Sequence, residues 1–393
     1  MRQFFGDLHI HIGKAGGKPV KITASRQLDL RRILFIDAER KGLDIIGIVD
    51  AGSPLVTAEI EEMIKDGELI PHSKGGFIAS NGVMLITGCE IETAEGAHVV
   101  LYLPNLESLY NYQKYMQKRV TNLNLSTQKT TATLPELINL AILLEGFICP
   151  AHAFTPHKGI YGMLTGSIDK FLGKDAVQIK TIELGLSADT DMADMLKEAY
   201  RFTFLSNSDA HSSANVGREY NLFSMRELSF TELKLCIEGY DGRRIKANYG
   251  MDPRLGKYHR SFCLECGRIA DSPPPVLKCT FCGSDSKLVK GVLDRVYEIR
   301  DYEEPHHPVG RAPYKYRVPL KELPGIGIKT IEKLLKVYRS EIEITETVPV
   351  EDIERVAGRK VAQSIQKMRN EELTILPGGG GYYGKIAPCN NDD

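Results

Sequence analysis

Half of the ten histidines in this 393-residue chain stand where they could hold a cation. Asp7-Leu-His9-Ile-His11 lies near the start. Glu90 sits in Gly88-Cys-Glu-Ile-Glu92. His98, His152 in Pro150-Ala-His-Ala153, and Asp209-Ala-His211 follow. Side chains two apart on a strand point to the same side, so His9 and His11 form a ready two-nitrogen chelate. Asp7 shares their parity and is expected to orient one imidazole from behind. Asp209 and His211 repeat the spacing, and Glu90, after an apolar strand, is placed to bridge two cations. Imidazole and carboxylate without thiolate suit Zn²⁺, Mn²⁺ or Fe²⁺. A lone histidine is more often a core or surface residue than a ligand. Five beside acidic residues, near strand ends of one region, point to a shared centre. Clustered cations activate water against phosphorus without any side-chain nucleophile. Asp209, Glu90 and His211 are the expected catalytic set, with Asp209 the residue whose loss is most damaging.

Cys263-x2-Cys266-x12-Cys279-x2-Cys282, with Gly267 and Gly283 after the pairs, has zinc-ribbon spacing. Four thiolates leave no open coordination position, so this zinc is structural, and so short a module is expected to fold only around its metal. Redox use of either pair is the rival. Cys89, Cys149, Cys236 and Cys389 are scattered, which argues for a reducing compartment over a disulfide framework.

Leu323-Pro-Gly-Ile-Gly-Ile-Lys329 opens a helix-hairpin-helix-like module, and an echo 31 residues later aligns Gly358 and Lys360 with Gly327 and Lys329. Backbone N–H groups at such a helix start suit a phosphate. Gly325, Gly327, Lys329, Gly358 and Lys360 are therefore candidate DNA contacts, of a kind that positions the duplex without reading its sequence. An ordinary helical hairpin is the alternative. Thr155, His157, Lys158 and Tyr161 follow His152 closely and could line a substrate pocket, with a packed surface loop the equal rival. Tyr382 and Tyr383, in the glycine-rich tail, could stack on a base.

Elements able to position these groups can be read upstream. Apolar runs at 44–49, 83–87, 98–103, 147–150, 179–184 and 201–206 predict strands. Stretches 29–41, 57–65, 106–117, 133–145 and 191–200 predict helices. Such alternation suggests a barrel-like or doubly wound α/β domain with its site at strand ends. Residues 249–258 read as a linker, and 303–308 as a solvated loop. The expected division is a barrel at 1–245, a four-cysteine module at 258–290, a connector at 291–319, a helical module at 320–372 and a tail at 373–393. Composition is 42% hydrophobic and 26% charged, with a net charge of −1, which excludes a uniformly basic binder. Residues 241–321 nonetheless hold 16 Lys or Arg against 10 Asp or Glu. No apolar run approaches the roughly 20 residues of a membrane span, and no signal-peptide pattern opens the chain. A cytoplasmic monomer is expected.

The order D-x-H-x-H, an Asp at a strand end, Gly-x-Glu, His, His and D-x-H resembles the polymerase-and-histidinol-phosphatase (PHP) superfamily. That resemblance implies a distorted seven-stranded β/α barrel with two or three divalent metals (Zn²⁺, Mn²⁺ or Mg²⁺) besides the structural zinc. It implies His9, His11, Glu90 and Asp209 around one metal and Glu90, His98 and His152 around another, with Asp50 and His211 as candidates for a third. Many members carry His directly after the Asp of the second motif; here Ala51 follows Asp50. Module order, with the flanks Asp7-Leu-His-Ile-His-Ile-Gly13, His152-Ala-Phe-Thr-Pro156 and Ser206-Asn-Ser-Asp-Ala-His211, is similar to the endonuclease Q family of DNA-repair nucleases. This implies cleavage 5′ to deaminated bases (hypoxanthine, uracil, xanthine) and abasic sites in double- or single-stranded DNA, leaving 3′-hydroxyl and 5′-phosphate. Two rival readings are a phosphatase of the histidinol-phosphate type and a non-catalytic DNA-binding protein with a degenerate barrel.

Overall fold

The computed structural model describes residues 1–387, so the last part of the tail, with Cys389, lies outside the described residues. Strands β1 (Arg2–Ile10), β2 (Ile45–Ile48) and β3 (Met84–Glu92) run parallel. Helical residues 30–41 (α1) join the first two, started by the Asp29 side chain accepting from Arg32 N–H. Helix α2 (Pro54–Lys65) lies between the next two. β4 (His98–Leu103) and β5 (Phe147–Pro150) continue the sheet antiparallel, separated by α3 (Leu106–Met116) and α4 (Leu134–Leu143). A reciprocal Thr133–Glu136 capping box begins α4.

The sheet then curls. Ala153 N–H bonds Glu183 O at 2.8 Å, linking β5 to β6 (Thr181–Glu183), which pairs in parallel with β7 (Thr203–Leu205). Past β7, His11 N–H bonds Ala210 O at 3.0 Å, returning the path to β1. On its other side β1 pairs with β8 (Tyr220–Met225), which pairs with β9 (Arg244–Gly250). Helix α5 (Phe230–Ile237) connects these two.

Alternation sorts the side chains into two cores. Leu8, Ile45, Met84, Ile86, Val100, Tyr102 and Leu205 pack together inside, against α5. Ile46, Ile48, Leu85, Val99, Leu101 and Leu103, one residue out of phase, pack against the outer helices. Glu90 and His98 share the inner parity of Met84–Ile86 and Val100–Tyr102. A register shift between Asp7 and Ile10 breaks the alternation in β1, so Leu8 and the His9–His11 pair can both face inward.

Helix α6 (Val292–Ile299) buttresses the cysteine module. Its buried Asp294 accepts from Ser261 N–H at 2.9 Å, Ser261 Oγ at 2.8 Å and Val276 N–H at 3.0 Å. Strand β10 (Tyr314–Tyr316) pairs with β9 at the edge of the main sheet. Helices α7 (Ile328–Leu335), α8 (Glu341–Glu346), α9 (Val350–Ala357) and α10 (Arg359–Arg369) share a third core with Met251 and Leu255. Residues 249–258 are thus no free linker: their apolar side chains belong to packed structure. The helix expected at 191–200 is broken into Thr190–Ala193 and a 3₁₀ turn, Lys197–Arg201. Between them Asp194 is buried and bound by Arg311 (2.7 Å) and His307 (2.7 Å), while Met195 O accepts from the 301–302 backbone. The 303–308 segment is accordingly tied down through His307. Among the described residues no helix is long and apolar enough to cross a membrane.

Candidate metal centre

Five strand ends converge where the inner face opens. His9 and His11 come from the end of β1, Glu90 from β3, His98 from the start of β4, His152 from just after β5, and Asp209 and His211 from beyond β7. His152 and Asp209 adopt positive φ, 32° and 45°, a conformation that costs a non-glycine residue energy and that tertiary contacts must hold.

Both imidazoles of the H-x-H pair are divided the same way. His9 Nδ1 lies 2.9 Å from Glu183 Oε2, and His11 Nδ1 lies 2.8 Å from Asp50 Oδ1. Their Nε2 atoms are buried without a hydrogen-bond partner, as is His98 Nδ1. These bare nitrogens face two carboxylates. His9 Nε2 is 3.5 Å from Glu90 and 3.6 Å from Asp209; His11 Nε2 is 3.3 and 3.4 Å from the same pair. His98 Nδ1 and His152 Nε2 stand 3.2 and 3.5 Å from Glu90 Oε1. Bonds of about 2.1 Å at tetrahedral angles separate neighbouring donors by about 3.4 Å, so the residues fit divalent cations. Three sets of donor atoms lie within 4.8 Å of one another: His9–His11–Glu90, His11–Asp209–His211 and Glu90–His98–His152. The first two compete for the single lone pair on His11 Nε2.

Electrostatics match. Burial pushes Glu90 up, but the Lys21 ammonium and the surrounding imidazoles outweigh it and hold the carboxyl well below its usual range. Burial pushes His11 down, and Asp50 outweighs it, raising the imidazole to about 10. A cation entering this site must displace protons, which links its affinity to pH.

Several sequence expectations are redirected. Asp50, a candidate third-metal ligand, is absent from all three donor sets; its oxygens are occupied by His11, Ile12 N–H and Ser126. Asp7 does not orient an imidazole. Its carboxylate accepts from Ser208 N–H (3.1 Å), His9 N–H (3.3 Å) and Gly217 N–H (3.0 Å). The break in β1 alternation between Asp7 and Ile10 undoes the parity on which that expectation stood. Glu183 takes the orienting role for His9 instead, and is itself held by Asn207 Nδ2 at 3.0 Å and His152 N–H at 3.1 Å. Lys21, 3.2 Å from Glu90 Oε2, and Thr127, 2.6 Å from the same atom, complete the surround. Neither Glu183, inside an apolar strand, nor Lys21, in an irregular loop, carries a spacing signal.

A cavity of about 480 Å³ opens onto His98, His152, Asp209 and His211; Thr155, His157, Lys158, Tyr258 and Tyr383 also line it. Tyr161 does not. It is fully buried, stacked on Phe154 with centroids 5.1 Å apart, and donates to Glu198 Oε1 at 2.6 Å. Tyr382 is 79% exposed and likewise absent from the lining. The four thiols close a second site: Cys263 Sγ–Cys282 Sγ is 3.6 Å and Cys266 Sγ–Cys279 Sγ is 3.5 Å, near the sulfur–sulfur edge of about 3.8 Å for a tetrahedron of 2.3 Å bonds. In the helical module, Gly327 and Gly358 stand at the starts of α7 and α10 with no side-chain cap. A Cβ at Gly325, Gly327 or Gly358 would meet nothing within 4 Å, and Lys329 and Lys360 are exposed.

Among known proteins, no family model matches the chain. It is 39% identical to YqxK, an uncharacterized protein of Bacillus subtilis, over 99% of this chain and all of that one. Its structure is similar to PfuEndoQ, a lesion-specific endonuclease from Pyrococcus furiosus, with a TM-score of 0.84 and 34% identity, over 98% of this chain and 96% of that one. It matches equally well, over 97% of that chain, an endonuclease Q solved with a 27-mer duplex substrate bearing an abasic lesion at the active site. Agreement at this level extends across barrel, cysteine module and helices together: the chain belongs to the endonuclease Q family.

Proposed function

We propose that this protein is a metal-dependent DNA-repair endonuclease that hydrolyses the phosphodiester 5′ to deaminated bases (hypoxanthine, uracil, xanthine) and abasic sites. The observation carrying this reading is the ring of unpartnered imidazole nitrogens around Glu90 and Asp209, open to a cavity of about 480 Å³. Family membership supports it, as does the abasic duplex held by one relative.

His9, His11, Glu90 and Asp209 would hold one divalent cation and Glu90, His98 and His152 another, with His211 beside Asp209; Zn²⁺, Mn²⁺ and Mg²⁺ are the candidates. When bound, such cations lower the pKa of water and neutralise charge on phosphoryl oxygens. Oxygen of water forms the new bond to phosphorus, the P–O3′ bond breaks, and the leaving oxygen takes up a proton, giving 3′-hydroxyl and 5′-phosphate. Glu183 and Asp50 keep the Nε2 atoms of His9 and His11 turned inward. Thr155, His157, Lys158 and Tyr383 line the space for an extruded nucleotide, whose weak pairing lowers the cost of leaving the stack, otherwise about a few kcal/mol.

The catalytic unit is a seven-stranded distorted barrel, β1 to β7, within residues 1–245. The cysteine module at 258–290 holds one structural zinc. The connector at 291–319, the helix-hairpin-helix-like module at 320–372 and the tail from 373 complete the chain. Gly325, Gly327, Lys329, Gly358 and Lys360 grip the duplex backbone.

The test is a labelled duplex carrying one deoxyinosine, incubated with the protein and Mg²⁺ or Mn²⁺ beside an undamaged control. A single nick 5′ to inosine, absent from the control, is expected. Phosphate release from histidinol phosphate with no nick would instead favour a small-molecule phosphatase. Asp209→Ala is expected to lower cleavage at least about a thousandfold, because a ligand of the cation that activates water is lost, with DNA affinity kept within about threefold. Equal loss of both would remove Asp209 from the chemistry.

A further inference from the structure

The cavity beside the metal centre also carries two cationic side chains, Arg218 and Lys257. Arg218 is half-buried, and its Nε donates to Ser208 O at 2.8 Å. That bond fixes the plane of the guanidinium and leaves its two terminal nitrogens available. Lys257 Nζ stands 5.0 Å from the Tyr258 ring centroid and 5.7 Å from that of Tyr383. Neither cation forms an ion pair among the described residues, whereas Lys158, which also lines the cavity, is bound to Glu92 at 2.5 Å. Two half-buried cations without a carboxylate partner in one concave site leave their donors free for an anion.

Arg218 and Tyr383 also line a second cavity of about 530 Å³, which continues to Lys385 and Glu322 at the helical module. Tyr383 is held at this junction by backbone bonds on either side: Gly381 N–H to Lys257 O (3.2 Å) and Gly384 N–H to Leu255 O (2.9 Å). The two cavities therefore adjoin at Asn215, Arg218 and Tyr383, leading away from the metal ligands.

We infer that Arg218 and Lys257 form a clamp for a phosphodiester next to the one that is cut, holding the strand as it leaves the metal centre. This rests on the nuclease reading above and adds to it a residue pair, a ligand group and a direction. Arg218 supplies a forked pair of donors to two phosphate oxygens. Lys257 supplies a point charge that stands near two tyrosine rings. Such contacts serve substrate and transition state alike, so their loss is expected in KM and not in kcat.

Steady-state cleavage of a deoxyinosine duplex by Arg218→Gln, Arg218→Lys and Lys257→Met tests this, with substrates in which single phosphates flanking the scissile bond are replaced by neutral methylphosphonates. Arg218→Gln is expected to raise KM about ten- to hundredfold with kcat within about threefold, and Arg218→Lys and Lys257→Met about tenfold or less. On the substrate neutralised at the clamped position, wild type and Arg218→Gln should become equal. The clamp is overturned if Arg218→Gln leaves KM unchanged, or if its penalty is the same whichever phosphate is neutralised. It is also overturned if the variant binds fewer catalytic cations by elemental analysis, since Arg218 would then merely brace the Ser208–Asp209 turn. Failure of the wild-type protein to nick any DNA would remove the nuclease reading itself, and the clamp with it.

Discussion

Each ring of the H-x-H pair spends Nδ1 on a carboxylate so that Nε2 must face the centre. Glu183 is therefore a positioning residue for His9. Glu183→Gln keeps the shape but removes the charge that makes the imidazole a better donor. Cation affinity, measured by competition with a chromogenic chelator, is expected to fall about ten- to hundredfold with little change in melting temperature; unchanged affinity would remove Glu183 from this role. Glu219 has a different task. It is fully buried, its Oε1 takes Met251 N–H at 2.8 Å, and its Oε2 has no partner. Burial, helped by the nearby Glu183 and Asp7 charges, pushes it from 4.5 up to about 8. Folding thus favours the protonated form, and its stabilisation is complete below about pH 4.5 and is lost as pH rises through about 8. Glu219→Gln should melt with wild type at pH 4 and above it at pH 9. Parallel melting curves across that window would contradict this assignment.

Among the elements, β1 and the two glycine-started helices matter most. The register break in β1 lets Leu8 enter the inner core while His9 and His11 face the same interior. A regular strand would send Leu8 and His9 to opposite faces. Helices α7 and α10 begin at glycines with open space where a Cβ would lie. Gly327 has an ordinary φ of −95°, so Gly327→Val should fold and block only the approach of a ligand to the helix start. DNA affinity is expected to drop about tenfold for damaged and undamaged duplexes alike, as loss of a backbone contact implies. A loss confined to damaged duplex would mean that this helix reads the lesion.

Taken as a whole, the molecule is tied together by contacts between distant parts of the chain. The helical module rests on α1 through Lys41–Glu341 (2.6 Å), Arg40–Glu341 (3.0 Å) and Arg40–Glu332 (2.6 Å), with Ile342 packed in the barrel's outer core. The cysteine module is held through Asp294 of α6, and Arg295 of that helix donates to Tyr161 O at 2.8 Å. Opening the four-cysteine cluster should therefore act locally first. Cys263→Ser is expected to raise amide hydrogen exchange across residues 262–289 while α7 to α10 stay protected, because the latter keep their own apolar core. Simultaneous loss of protection in both would show that the cysteine module supports the helices.

Residue types and short spacings were enough to pick out the candidate ligand set. His9-x-His11, Glu90, His98, His152, Asp209-x-His211 and the four cysteines are legible because a cation needs particular donor atoms, and strand parity or a tight turn brings near neighbours together. Strand positions were legible from the same apolar runs that fill the two cores. Only the tertiary structure decided which carboxylate stands behind which imidazole. Glu183 is 174 residues from His9 and Asp50 is 39 from His11, distances at which local periodicity carries no information. It also decided that Asp7 turns away, that Tyr161 is core, and that Arg218 and Lys257 share a cavity with the candidate metal ligands. Each of these depends on how separate segments pack, which no stretch of the chain specifies by itself.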